Sequence, residues 1–177
     1  MYDTFIGIDP GKSGAVGIIR SGENGLVVEA FDTPTMKAAK GTKNSYDVPG
    51  MLALITKAKE GGQVYAMLES VHSMPGQGVS STFDFGKGFG IWIGILAALK
   101  VSYTLVSPVR WKKAMLADMT QDKGVSRTRA KQLFPDQANL FSLVKDDGRA
   151  EAVLMAEYGR RTLGAAAIVG QALAQAS

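Results

Sequence analysis

The stretch "FIGIDPGKSGAVGII", residues 5–19, constrains the fold most, because it ends an apolar run on an acid. Residues 5–8 read as a strand covered on both faces, with Phe5, Gly7 and Asp9 on one face by the two-residue period. An ionised Asp9 there is partly desolvated, which costs free energy unless a cation or hydrogen-bond donors meet it. The Gly11-Lys12-Ser13 that follows does not complete a phosphate loop. Such a loop needs a glycine at the position held by Ile6 and a helix after the serine, whereas "GAVGII" reads as a second strand. The segment is therefore strand, tight turn at Pro10-Gly11, strand.

The rest of the chain alternates between the two periodicities. Strands are predicted at 4–9, 14–20, 25–31, 64–69 and 102–106, the first three spaced as an antiparallel meander. Helices are predicted at about 48–60, 81–99, 108–117, 127–134 and 147–161. Asp47, Ser80 or Ser81, Ser107 and Ser126 are the expected N-caps, with Pro108 in a first turn. Residues 33–46 and 118–125 read as polar, mobile loops, and the Ala-rich 162–177 as a final helix or a frayed tail of the same domain. With 177 residues, 46% of them hydrophobic, and no repeat or linker, one domain is expected.

Glu69 closes "VYAMLE" on the face of Tyr65 and Met67, so two carboxylates meet if strands 4–9 and 64–69 are neighbours. Taken singly, each acid could equally cap a strand at the solvent edge. A third cluster lies in "KDDGRAEAVLMAEYGRR", where Asp147 and Glu151 stand at i and i+4 on an amphipathic helix. Like charges so placed disfavour a helix by about 0.2–0.5 kcal/mol, a sign that a bound metal would reverse. Acids at 146 and 147 also suit a helix N-terminus through its dipole.

The absence of cysteine excludes disulfides and thiolate zinc, and His72 is the single histidine. Any metal must then be held by oxygen ligands, which suits Mg²⁺ or Mn²⁺. A net charge of +4 and a pI near 9.3 fit a polyanionic partner. The longest apolar stretch, "FGIWIGILAAL" at 89–99, is too short to span a membrane, and no basic region precedes an apolar leader at the N-terminus. A soluble, intracellular protein is expected.

Taken together, "GIDPG", "MLES" and "DDGRAEA" resemble, in order and separation, the RuvC family of Holliday junction resolvases, especially its compact phage-type members. The resemblance runs over residues 4–161, and "VHSMPGQGVSSTFDFGKGFGIWIGILAAL" is its most specific stretch. It implies an α/β, ribonuclease H-like fold with a central mixed five-stranded sheet and helices on both faces, the nuclease domain covering 1–161. It also implies a homodimer, an endonuclease acting on branched DNA, and hydrolysis with two Mg²⁺ ions, for which Mn²⁺ can substitute. Location would be cytoplasmic, in a bacterial host if the protein is phage-encoded. By position, Asp9 would bridge the metals, Glu69 would bind one, and Glu151 with Asp147 would complete the set, Asp146 being the substitute. Two departures stand out: the last acid is Glu151 where the family commonly has Asp, and Gly148 occupies the place of the preceding acid or histidine. His72 stands where cellular members carry an aromatic that stacks at the opened junction.

Two further features complete the reading. Gly86, Gly90 and Gly94 recur every four residues with Ala98 after them, so the helix at 81–99 has a face of bare backbone. Either the sheet or a second copy of the helix would lie against it. The basic residues Arg110, Lys112, Lys113, Lys123, Arg127, Arg129 and Lys131, with Lys12 and the loop residues Lys37, Lys40 and Lys43, are candidate phosphate contacts. Beside the resolvase reading stand a non-catalytic junction binder and a nuclease of the same fold acting on flaps, forks or RNA–DNA hybrids.

Overall fold

A computed structural model of the protein describes residues 2–23, 25–37, 44–71, 78–120 and 122–175, with side chains to residue 164. His72, Lys40 and Lys43 lie outside the described residues. Strands β1 (Thr4–Ile8), β2 (Ala15–Gly22) and β3 (Gly25–Asp32) form the predicted antiparallel meander. Two segments, β4 (Thr35–Lys37) and β5 (Asn44–Tyr46), pair with each other, and helix α1 (Val48–Lys59) leads back to β6 (Val64–Glu69). β6 lies parallel to β1, and β7 (Ser102–Val106) parallel to β6, giving the sheet order β3-β2-β1-β6-β7. Helix α2 (Val79–Ala98) connects β6 to β7, and α3 (Pro108–Leu116), α4 (Val125–Leu133) and α5 (Asp147–Gln175) follow. Two short 3-10 turns, Pro135–Phe141 and Val144–Asp146, precede α5.

Strand alternation divides the core in two. Ile6, Ile8, Val16, Ile18, Ala66 and Leu68 pack against Met51 and Ile55 of α1 and Trp92 and Leu96 of α2. Phe5, Ile19, Val28 and Met67 point the other way, into Trp111, Phe141, Val153, Leu154 and Met155. Helices therefore cover both faces of a mixed five-stranded sheet, as expected.

The second face depends on two glycines. Gly7 and Gly17 are partners in the β1–β2 ladder. A Cβ on Gly7 would run into the Ala152 carbonyl and lie 2.6 Å from the Ala156 nitrogen, and one on Gly17 would lie 2.6 Å from the Val153 Cα. The backbone of α5 thus rests directly on the backbone of the sheet.

Several expectations are corrected. Within the expected loop 33–46, residues 35–37 and 44–46 pair as β4 and β5, and Tyr46, only 6% exposed, anchors β5 by its burial; residues 38–43 lie outside the described residues. Helix α2 starts after Gly78, with no side-chain cap from Ser80 or Ser81. Helix α4 starts after Gly124, whose φ of 84° makes the turn earlier than Ser126, so Ser126 is turned inward and buried. Asp47 and Ser107 do cap, accepting from Gly50 N and Arg110 N. The tail continues α5 as helix to Gln175. A Cβ added to Gly86, Gly90 or Gly94 would meet nothing within 4 Å, so that row faces away from the sheet; the glycine that permits close packing of α2 is Gly88.

Gly17→Val would drive a branched side chain into the α5 backbone. Overpacking of this kind costs about 1–3 kcal/mol or more, and thermal unfolding followed by circular dichroism should show a clear drop in Tm.

Candidate active site

The parallel pairing of β1 and β6 carries the site. Its register runs Thr4↔Val64 to Ile8↔Leu68, so the next step sets Asp9 beside Glu69 at the same end of the sheet. Helix α5, seated on Gly7 and Gly17, brings Glu151 over that end. The three carboxylates act on one another. Burial pushes the Asp9 carboxyl up from its ordinary range, the Gly11 amide opposes this, and the negative charge of Glu151 adds to it. Glu69 is likewise pushed up by burial first, then by Asp9 and Glu151, against a hydrogen bond from Trp111.

Each acid has its own support. The Gly11 N–H donates to Asp9 Oδ1 at 3.2 Å, and the Asp9 amide donates to the Ala15 carbonyl at 3.0 Å, which closes the turn after β1. Gly14 leaves room for that carboxylate, since a Cβ there would come 2.8 Å from Asp9 Oδ1. Trp111, fully buried on α3, donates its indole N–H to Glu69 Oε1 at 2.8 Å. Lys112 lies 5.2 Å from the Trp111 ring centroid and extends its ammonium to Glu151 Oε1 at 2.8 Å. Ser126 Oγ donates to the same oxygen at 3.3 Å. An indole, an ammonium and a hydroxyl thus order the acids from outside.

The remaining expected ligands lie elsewhere. Asp147 accepts from Arg127 Nε at 2.6 Å, with about half its side chain exposed. Asp146 is buried and accepts from the Leu143 amide at 2.7 Å, fastening the turn before α5. Gly148 lies against the β1–β2 turn, where a Cβ would be 3.1 Å from the Ser13 carbonyl oxygen, so a larger residue would crowd the segment that follows Asp9. Among the described residues no group of three or more acids encloses a ready metal position. The donor chemistry nevertheless fits a hard divalent cation: Asp9, Glu69 and Glu151 are the oxygen ligands that would hold it, and the ammonium of Lys112 is the positive charge among them.

The basic residues fall into two groups. Arg129 is tied to Asp118 and donates to the Met115 carbonyl at 2.8 Å, so it fastens α4 to the end of α3. Lys12 pairs with Asp84 at 2.8 Å beside a cleft of about 440 Å³ that includes Asp9. Arg110, Lys113 and Lys123 are exposed on the segments around α3 and α4, and Lys131 is partly exposed. Trp111 and Ser126 join the site without a sequence motif that marks them. The signal for Trp111 is its spacing with Met115 on the buried stripe of α3.

T. thermophilus RuvC in complex with a Holliday junction substrate superposes with a TM-score of 0.57, at 16% identity, over 90% of this chain and 96% of that one. The fold is that of RuvC. Thermus thermophilus RuvC gives 0.55 at 14% identity with the same coverage. The yeast mitochondrial Holliday junction resolvase Ydc2 gives 0.54 at 16% identity, covering 88% of this chain and 78% of that one. A chloroplastic Holliday junction resolvase, MOC1 of Chlamydomonas reinhardtii, is 27% identical over 95 residues, 54% of this chain. The chain spans 11% of the length of that curated relative. No protein-family model matches the sequence. In this RuvC-like frame, the acids gather where β1 and β6 end together and α5 crosses them.

The raised carboxyls set a stability prediction. Their folded pKa values exceed the unfolded ones, so at neutral pH the native state carries charges that the unfolded state holds more easily. In metal-free buffer Asp9→Asn or Glu69→Gln should therefore raise Tm by a few degrees, a shift of 2–4 °C corresponding to about 1 kcal/mol in a chain of this size. As pH falls through the raised pKa values, the wild-type acids take up their protons and the advantage of the variants should fade. Calorimetric melts between neutral and mildly acid pH would check both parts.

Proposed function

We propose that this chain is a metal-dependent, structure-selective endonuclease that resolves Holliday junctions as a homodimer. The observation that carries the reading is the meeting of Asp9, Glu69 and Glu151 at one end of a RuvC-like sheet, where burial and mutual repulsion call for a cation. Two Mg²⁺ ions, or Mn²⁺, would supply a water activated for in-line attack and charge stabilisation for the departing oxygen. The chain's own residues do the rest. Asp9, Glu69 and Glu151 would hold the metal; Trp111 fixes the rotamer of Glu69, and Ser126 with Lys112 orients Glu151. Asp147 is a further candidate ligand only after release from Arg127, while Asp146 serves the turn before α5. Arg110, Lys113, Lys123 and Lys131, with Lys12, Lys112 and Arg127 nearer the acids, would contact phosphates, and His72 would touch the opened strand. Such contacts give orientation and a salt-dependent affinity.

The dimer reading rests on α2. Its bare row Gly86, Gly90 and Gly94 continues, one and two turns earlier, into Phe83 and Val79, which are 74% and 87% exposed. An apolar stripe with no Cβ in its centre suits close approach of a second α2. An isologous pairing would present two sites to a near-symmetric four-way junction.

One observation favours a second reading, a junction-binding protein without catalysis. Lys112 already neutralises Glu151, and no enclosed acid group is present among the described residues. Labelled four-way junction, fork, flap and RNA–DNA substrates, incubated with and without Mg²⁺ or Mn²⁺, separate the two. The expected result is metal-dependent cutting of the four-way junction above the others. Asp9→Asn and Glu69→Gln should each reduce cutting below detection while leaving gel-shift affinity for the junction within about twofold; full activity of both variants sinks the nuclease reading. Binding without cutting under any condition supports the second one. Gly90→Leu should convert a dimer into a monomer by light scattering while circular dichroism shows the monomer still folded, and an unchanged dimer would remove α2 from the interface.

A further inference from the structure

We propose that Tyr46 is a positioning residue for the cleavage reaction: its hydroxyl ties the turn that carries Asp9 to helix α2 and so holds the Asp9 carboxylate in place. The inference rests on the nuclease reading, and deepens it. Tyr46 ends β5, in the β4–β5 pair between β3 and α1, and its side chain is buried. Its hydroxyl lies 3.4 Å from the Pro10 carbonyl oxygen and 3.2 Å from the Asp84 carbonyl oxygen. Both are acceptors, so the phenol proton is shared between the residue following Asp9 and the first half of α2.

The packing around that hydroxyl is made for it. Gly88, one turn after Asp84, is buried; a Cβ there would strike the phenol oxygen and ring and would lie 2.6 Å from the Pro10 carbonyl oxygen. Strand β5, catalytic turn and helix thus converge on one hydroxyl. The same ring also faces Lys12, whose ammonium is 5.6 Å from its centroid and 2.8 Å from Asp84 Oδ2. Pro10 and Lys12 flank Gly11, and the Gly11 amide is the donor to Asp9 Oδ1. Movement of Tyr46 is therefore transmitted to the group that orients the carboxylate. A displacement of about 1 Å at a reacting group can cost 10²-fold in rate, so a single hydroxyl has leverage here.

Tyr46→Phe keeps the ring and removes the hydrogen bonds. With the four-way junction at saturating concentration, the single-turnover cutting rate should fall at least tenfold and the Mg²⁺ concentration for half-maximal rate should rise. Junction affinity measured without metal should stay within about twofold and Tm within a few degrees, because the ring still fills its place. A purely structural role would instead lower Tm and leave the metal dependence unchanged. The ¹³C carboxyl resonance of Asp9 gives a readout independent of activity: in Tyr46→Phe it should move, while that of Asp118, tied to Arg129 beyond the end of α3, should not. Wild-type cutting and an unshifted Asp9 resonance in the variant overturn the proposal. A wild-type protein that cuts nothing overturns the nuclease reading, and the resonance then still decides whether Tyr46 fixes Asp9.

Discussion

Backbone-to-backbone contact between α5 and the sheet is the constraint on which the rest of this molecule depends. Gly7 and Gly17, side by side on β1 and β2, remove the layer of side chains that ordinarily separates a helix from a sheet. The helix can then approach until Ala152, Val153 and Ala156 lie on the glycines, with Gly159 resting on Met67. Helix–sheet packing at that distance leaves little freedom to slide or rotate. Glu151, next to Ala152, is consequently delivered to the end of β1 by the core itself.

What the core delivers is electrostatically unfavourable taken alone. Burial first, and then neighbouring negative charge, raise the proton affinity of Asp9 and Glu69 at the end of the sheet, and the protein tempers this with groups that also fix geometry. Trp111 serves two acids at once: its edge donates to Glu69 and its face lies near Lys112, which in turn reaches Glu151. Elsewhere the chain does the opposite. Glu157, buried where the site acids are only partly so, is held below the ordinary carboxylate range because the hydrogen bonds from Arg160 and Arg161 outweigh its burial. The contrast separates an acid whose burial is matched by two arginines from Asp9 and Glu69, whose burial is not.

Much of this was legible in the sequence, where it depended on period. A two-residue alternation gives Asp9 and Glu69 matching places on their strands, whereas the parallel pairing that makes those strands neighbours is seen only in the fold. The acids of α5 were legible as a cluster but not in their assignments. Whether Asp146 or Asp147 points into the site depends on a turn that begins only at Leu143, and on an arginine, Arg127, from another helix. Tyr46 and Gly88 were invisible for the same reason: each matters only against the other, across a helix and a strand of intervening chain. The glycine row on α2 was legible as an anomaly, and only the fold could tell which side it faced.

The side-chain alternation along β1 sets how this protein can vary. Between β3 and β6 the chain makes the β4–β5 pair and a helix, and residues added there without displacing Tyr46 would leave both carboxyl ends where they are. Loss of one residue between Thr4 and Asp9 would act differently. It would turn the acid from the α5 side to the side of Met51 and Trp92, an apolar interior without a partner for it. Length changes should therefore be frequent in the crossover and absent from the five-residue strand before Asp9, so that among descendants of this sequence the distance from strand to acid would be inherited more strictly than the residues that fill it.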